Sequence, residues 1–199
     1  MATLRPFRDY DEKDVVNLFA WSGTIPANRG TVVKINRGYL ATDSNPVMLG
    51  SVAASYRNTV SQRWGAYATV AATTAGDVAL GILLKDVRET DENGELLKFN
   101  PIKAAEMDVV LSGQAVPICT KGTFLYSGLS GSLLLSGVAA MTKVYVGGAG
   151  ELTVTPTVGS LGTSASGGSV SGNGHSVGFA LGGIDTNGCV LVKLNFVGL

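Results

Sequence analysis

Short apolar runs, rich in β-branched and aromatic residues, recur along the chain and are bounded by Gly, Pro, Asn or Asp. Thr31-Val-Val-Lys-Ile35, Val78-Ala-Leu-Gly-Ile-Leu-Leu84, Thr123-Phe-Leu-Tyr126 and Thr142-Lys-Val-Tyr-Val146 are such runs. Each has the length and content of a strand, because branched and aromatic side chains suit a pleated surface and the flanking residues end it. The run from Cys189 to Val197 is the longest. Its Val190, Val192, Leu194 and Phe196 alternate with Lys193 and Asn195, a period of two that places the apolar set on one face. Asp185-Thr-Asn-Gly188 separates this run from Val177-Gly-Phe-Ala-Leu181. Asn-Gly supplies the positive backbone angles of a tight turn, so the pattern predicts a terminal hairpin. Asp91-Glu-Asn-Gly94 predicts a second such turn, joining Ile82–Val87 to Glu95–Phe99.

Helical periodicity is scarce. Asn100-Pro101 ahead of Ile-Lys-Ala-Ala-Glu-Met supplies a cap and a first-turn proline, which predicts one short helix over 101–108. Asp11 to Phe19 reads as a further turn or two, with Val15, Leu18 and Phe19 on a common side. The fold expected is mainly β: a small antiparallel β-barrel or sandwich with an extended N-terminal arm and one short helix. The arm spans 1–22 and the barrel or sandwich domain 23–199. Within the domain, residues 159–176, GSLGTSASGGSVSGNGHS, are too poor in apolar surface to repay their ordering, and read as a long loop inserted at a tip.

Charge sharpens this picture. The 199 residues hold 15 basic and 15 acidic side chains for a net charge of zero, without the cationic excess of a protein that coats nucleic acid. Residues 109–199 carry only five charges, Lys121, Lys143, Glu151, Asp185 and Lys193, yet 19 of the 27 glycines. Charge keeps soluble surfaces apart. The bare half is therefore either a sandwich surfaced with Ser, Thr and Gly, or a surface covered by other subunits. No apolar run approaches the roughly 18 residues of a membrane span, and the opening MATLRPFRDYDEKD is too polar for a secretory signal.

Candidate chemistry is thin. His175, the single histidine, sits in the Gly/Ser stretch, where nothing would orient an imidazole for catalysis. Cys119 and Cys189 lie in no paired ligand motif, which argues against zinc and leaves buried free thiols or a disulfide. Asp9, Asp11, Glu12 and Asp14 alternate with Arg5, Arg8 and Lys13 as a solvated or partner-facing segment. The Asp91–Glu95 cluster lacks the twelve-residue pattern of a calcium loop. Gly147-Gly148 and Gly182-Gly183 do not build a phosphate-binding loop. No catalytic, cofactor-binding or metal residue is expected, and the chain does not read as an enzyme.

One order of segments is familiar. Gln114-Ala-Val-Pro-Ile-Cys-Thr-Lys-Gly122 precedes Thr-Phe-Leu-Tyr-Ser-Gly128 and Lys143-Val-Tyr-Val-Gly147, and the terminal hairpin Val177–Leu194 follows. This order resembles that of the head decoration (cement) proteins of tailed bacteriophages. The opening Arg8-Asp-Tyr-Asp-Glu-Lys-Asp-Val-Val-Asn-Leu-Phe19 is similar to N-terminal arms of structural proteins in phages of marine or cyanobacterial hosts. The likeness covers about 78–199 and, more loosely, the first twenty residues. It rests on structural glycines and valines.

The resemblance implies a non-enzymatic virion protein, made in the host cytoplasm, that binds the outer surface of the capsid and clamps neighbouring major capsid subunits. Its implied partners are the major capsid protein and itself, as a homotrimer, with no nucleic acid, membrane or cofactor. The arm offers Arg5, Phe7, Arg8, Tyr10, Val15, Leu18, Phe19 and Trp21 as contacts to the capsid or a neighbouring subunit. Its aromatic residues would anchor and its charges set register. The same segment could instead fold back over its own barrel. Two other functions stay open: a tail-tube or neck protein assembling as rings, and a host-glycan-binding module using the Gly/Ser loop with Tyr56, Trp64 and Tyr67. A major capsid subunit is disfavoured, since no long amphipathic helix appears.

Overall fold

The computed structural model describes residues 3–7, 11–38, 68–129, 137–156 and 176–196. The chain is mainly β. Five strands close a barrel in the order β2 (Val15–Trp21), β4 (Thr69–Ala72), β3 (Val32–Arg37), β5 (Gly81–Leu83), β8 (Ala115–Cys119). Its pairs are antiparallel except β2 with β4, which run parallel. Six strands form an antiparallel sheet in the order β1 (Thr3–Pro6), β9 (Lys121–Ser127), β13 (Cys189–Asn195), β12 (Ser176–Ile184), β10 (Lys143–Val146), β11 (Leu152–Thr153). The parallel pair β6 (Asp86–Arg88) and β7 (Val109–Leu111) flanks in sequence the one α-helix among the described residues, α1 (Pro101–Glu106).

The doublets Val32-Val33, Ile82-Leu83 and Ile118-Cys119 explain how barrel and sheet meet. Successive strand residues point to opposite faces. Val33, Leu83 and Ile118 join Phe19, Trp21, Val70 and Val116 in the barrel core. Val32, Ile82 and Cys119 point the other way, into a second core with Leu4, Phe124, Tyr126, Val144, Val190, Val192, Leu194 and Phe196 of the sheet. A strand buried on both faces must be apolar at consecutive positions. The wall of the barrel is thus also a layer of a sandwich.

The sequence predicts an extended arm over 1–22, but the described part of that segment is woven into the fold. β1 pairs with β9 along the sheet edge. β2 closes the barrel against β8 and β4. The helical turns expected from Asp11 to Phe19 reduce to one 3-10 turn at Glu12–Asp14, capped by the Asp11 carboxylate, before the chain extends as β2. Thr120 fixes that corner: its N–H and hydroxyl both donate to the Asp14 carbonyl, at 2.8 and 2.9 Å. Burial of Phe19 and Trp21 in the barrel favours strand over helix here.

Both Asp-X-Asn-Gly turns form. In the terminal hairpin, Asp185 Oδ1 accepts from the N–H groups of Asn187 (2.9 Å) and Cys189 (2.7 Å), and Gly188 takes φ +75°. In the other, Asp91 Oδ1 accepts from Asn93 and Glu95, both at 2.8 Å, and Gly94 takes φ +85°. That second turn is flanked by a single bridge, Thr90 to Leu96, and then a 3-10 turn at Leu97–Phe99, in place of the predicted strand. The helix begins as expected, with Asn100 Oδ1 accepting from the Lys103 N–H, and ends two residues earlier. The Gly/Ser stretch to residue 175 lies outside the described residues.

Candidate interaction surfaces

Alternation sorts the six-stranded sheet into two unlike faces. Inward positions, among them Leu4, Phe124, Tyr126, Val144, Val190, Val192 and Leu194, are buried. The register aligns outward positions in rows across neighbouring strands. Lys193 stands beside Thr123 on one side and Phe179 on the other, and Phe179 stands beside Lys143. A second row runs Arg5, Leu125, Leu191. Lys121 faces Asn195 at the sheet end. Arg5, Lys121, Lys143 and Lys193 are exposed, while Leu125, Leu191, Phe179 and Tyr145 are half-buried between them. None of these four cations makes an ion pair among the described residues. Phe7 extends the first strand by donating its N–H to the Thr123 carbonyl at 3.1 Å, and its side chain is 58% exposed.

A different apolar corner surrounds α1. Phe99 and Ile102 are 77% and 72% exposed, with Leu96 beside them in sequence and Lys98 Nζ 5.0 Å from the Phe99 ring centre. The corner is held from beneath by Leu97, Ala104 and Leu111. It is also held by an ion pair between Lys103 and Asp91, whose side chain has no exposed surface. The hydrogen bond from Lys103 is the main reason the Asp91 carboxyl titrates below its ordinary range.

A cavity of about 230 Å³ opens where β1 and β2 approach the loop after β5. Leu4, Val15, Leu84 and Pro117 give it an apolar floor, and Arg29, Lys85 and Asp108 its polar rim. Lys85 and Asp108 neutralise each other at 2.8 Å.

The proposed contact residues are scattered by this arrangement. Arg5 and Phe7 are exposed at the sheet edge, Val15 is half-buried on the cavity wall, and Leu18 is exposed on the barrel. Phe19 and Trp21 are in the barrel core, where Trp21 Nε1 donates to the Thr24 carbonyl at 3.0 Å. Buried in their own subunit, those two cannot anchor on a neighbour. Arg8 and Tyr10 lie outside the described residues, as do Tyr56, Trp64, Tyr67 and His175.

Among the described residues, no group of three or more His, Cys, Asp or Glu side chains is placed to hold a metal ion. No helix there is long and apolar enough to cross a membrane. Both cysteines are free. Cys119 is buried, donates to the Lys121 carbonyl at 3.0 Å, and has its thiol pKa pushed up by that burial, the opposite of an activated nucleophile. The chain was compared with protein-family models, curated proteins and solved structures, and matches none of them.

Proposed function

We propose that the protein is a non-enzymatic structural subunit of a tailed-phage virion, bound to the outer surface of the capsid, where it cements neighbouring major capsid subunits. The observation that carries the reading is the set of large apolar side chains left exposed on a tightly packed β body, above all Phe7, Phe99 and Ile102. Scattered single apolar residues are ordinary on a surface, but clustered ones mark protein contacts. Phe99 and Ile102 lie three residues apart at the start of α1 and Phe7 at the end of β1, on different elements that can each meet a neighbour. A cement has that requirement: it must hold at least two subunits at once, and repeated contacts around a shell add through multivalency. The resemblance in segment order adds the virion context, and with it self-association as a trimer.

The test is direct binding of the purified chain to expanded heads of the encoding virus that have been stripped of it. Saturable rebinding, with raised resistance of the heads to heat, is the expected result. Heads that neither bind the chain nor gain stability overturn the reading. Stacked rings formed by the free chain would move it to the tail tube.

A further inference from the structure

Three of the five charges in the charge-poor half, Lys121, Lys143 and Lys193, converge on one face of the six-stranded sheet, and β1 adds Arg5 to it. Among the described residues, no carboxylate occupies an outward strand position there. Glu151 and Asp185, the only acidic residues after Asp108, sit in turns outside the strands. Interleaved with the four cations are the Leu125–Leu191 cross-strand pair, Phe179 and Tyr145, all half-buried. We infer that this outer face docks on an acidic, partly apolar protein surface.

Three physical points select that partner. Apolar area interleaved with charge suits a protein interface, in which the apolar part supplies affinity and the charge supplies orientation. Self-docking face to face would set four positive charges against four more, with no carboxylate at a described outward strand position on either side to relieve them. A nucleic acid is the remaining polyanion. Non-specific strands are held by a basic groove and by flat rings on which bases stack. Here the two rings, Phe179 and Tyr145, are half-buried in a strand surface beside the aliphatic pair Leu125–Leu191, and the chain as a whole is neutral. In the capsid reading this face meets the major capsid subunit, but the inference needs only an acidic partner.

The experiment uses the full chain, isotope-labelled, with amide shifts followed by NMR during titration with a glutamate-rich peptide. A parallel titration uses oligo-dT, and the solution mass is followed to high protein concentration. Expected are shifts confined to β1, β9, β10, β12 and β13 with the acidic peptide, weakening as salt rises. The double variant Lys143→Glu/Lys193→Glu should bind about tenfold or more weakly. Both side chains are exposed, so the fold should not depend on them. The conservative pair Lys143→Arg/Lys193→Arg keeps the charge and should keep the binding. Absence of shifts on this face, tighter binding of oligo-dT than of the peptide, or self-association lost on charge reversal would each overturn the inference. Stripped heads separate it from the capsid reading. Heads that bind wild type and charge-reversed chain equally well refute the face and leave the cementing role standing.

Discussion

At the scale of single residues, Tyr126 carries a pH-dependent share of stability. Its ring is fully buried, its hydroxyl accepts from the Leu152 N–H at 3.2 Å, and burial pushes its pKa from 10.0 up to about 12. The unfolded chain releases this proton near its ordinary value while the folded chain retains it. Stability should therefore decline from about pH 10 and level off near 12, by on the order of 2–3 kcal/mol. Urea unfolding at pH 8, 10 and 11.5 measures it. Tyr126→Phe should lose about 1 kcal/mol at neutral pH, with its hydrogen bond, and show a flatter alkaline profile. Asp77 works at the acid end. Burial raises its pKa, but hydrogen bonds from Lys34 Nζ (2.7 Å) and from the N–H (2.6 Å) and hydroxyl (2.7 Å) of Thr74 outweigh that and leave it lowered. Its contribution is present above the ordinary carboxylate range and is lost as pH falls through the lowered value. The Asp77→Asn variant should accordingly differ from wild type less at pH 3 than at pH 6.

At the scale of elements, close strand contact explains two glycines. A Cβ on Gly178 would stand 2.2 Å from the Lys193 carbonyl oxygen, and one on Gly81 would stand 2.5 Å from that of Cys119. Backbone cannot yield as a side-chain tip does. Gly178→Ala and Gly81→Ala should each destabilise by about 1–3 kcal/mol, read as a shift in urea midpoint. Gly188 differs, since nothing lies within 4 Å of its added Cβ and only its positive φ is at stake. Gly188→Ala should cost about 1 kcal/mol, and Gly188→Asn less, because Asn tolerates the left-handed region. Both Asp-X-Asn-Gly turns were legible in four letters, because their hydrogen bonds are made within the turn itself. The strand expected after the Asp91–Gly94 turn does not form. Its residues Leu97–Phe99 coil so that Leu97 packs with Ala104 and Leu111, contacts no local pattern announces.

At the scale of the whole molecule, barrel and sheet share a core through Val32, Ile82 and Cys119, so they should unfold together. Calorimetry should give one transition, coincident with those followed by tryptophan fluorescence and far-ultraviolet dichroism. Two separated transitions would mean that the shared layer does not couple the units. Ile82→Ala removes a fully buried side chain from that layer and should cost about 2–5 kcal/mol while keeping the transition single. Phe99→Ser and Ile102→Ser, by contrast, should leave thermal stability nearly unchanged and lower any tendency to associate, since both side chains face water.

Local patterns in the sequence determined the β class, the alternating burial of the last strand, the two tight turns and the helix start. Each depends on side-chain period or on hydrogen bonds spanning fewer than five residues. The N-terminal segment shows where such reasoning ends. Its aromatic residues signal that it must bury something, but not whether the cover belongs to a neighbour or to its own fold. For Phe19 and Trp21 the barrel settles that, through pairings with residues about fifty and a hundred positions away. Charge followed the same rule. The sequence shows three lone lysines spread over 73 positions, and only strand order and register bring them with Arg5 to one face. Periodicity tells which side of its own strand a residue takes; which strands lie side by side is decided by burial of the whole core.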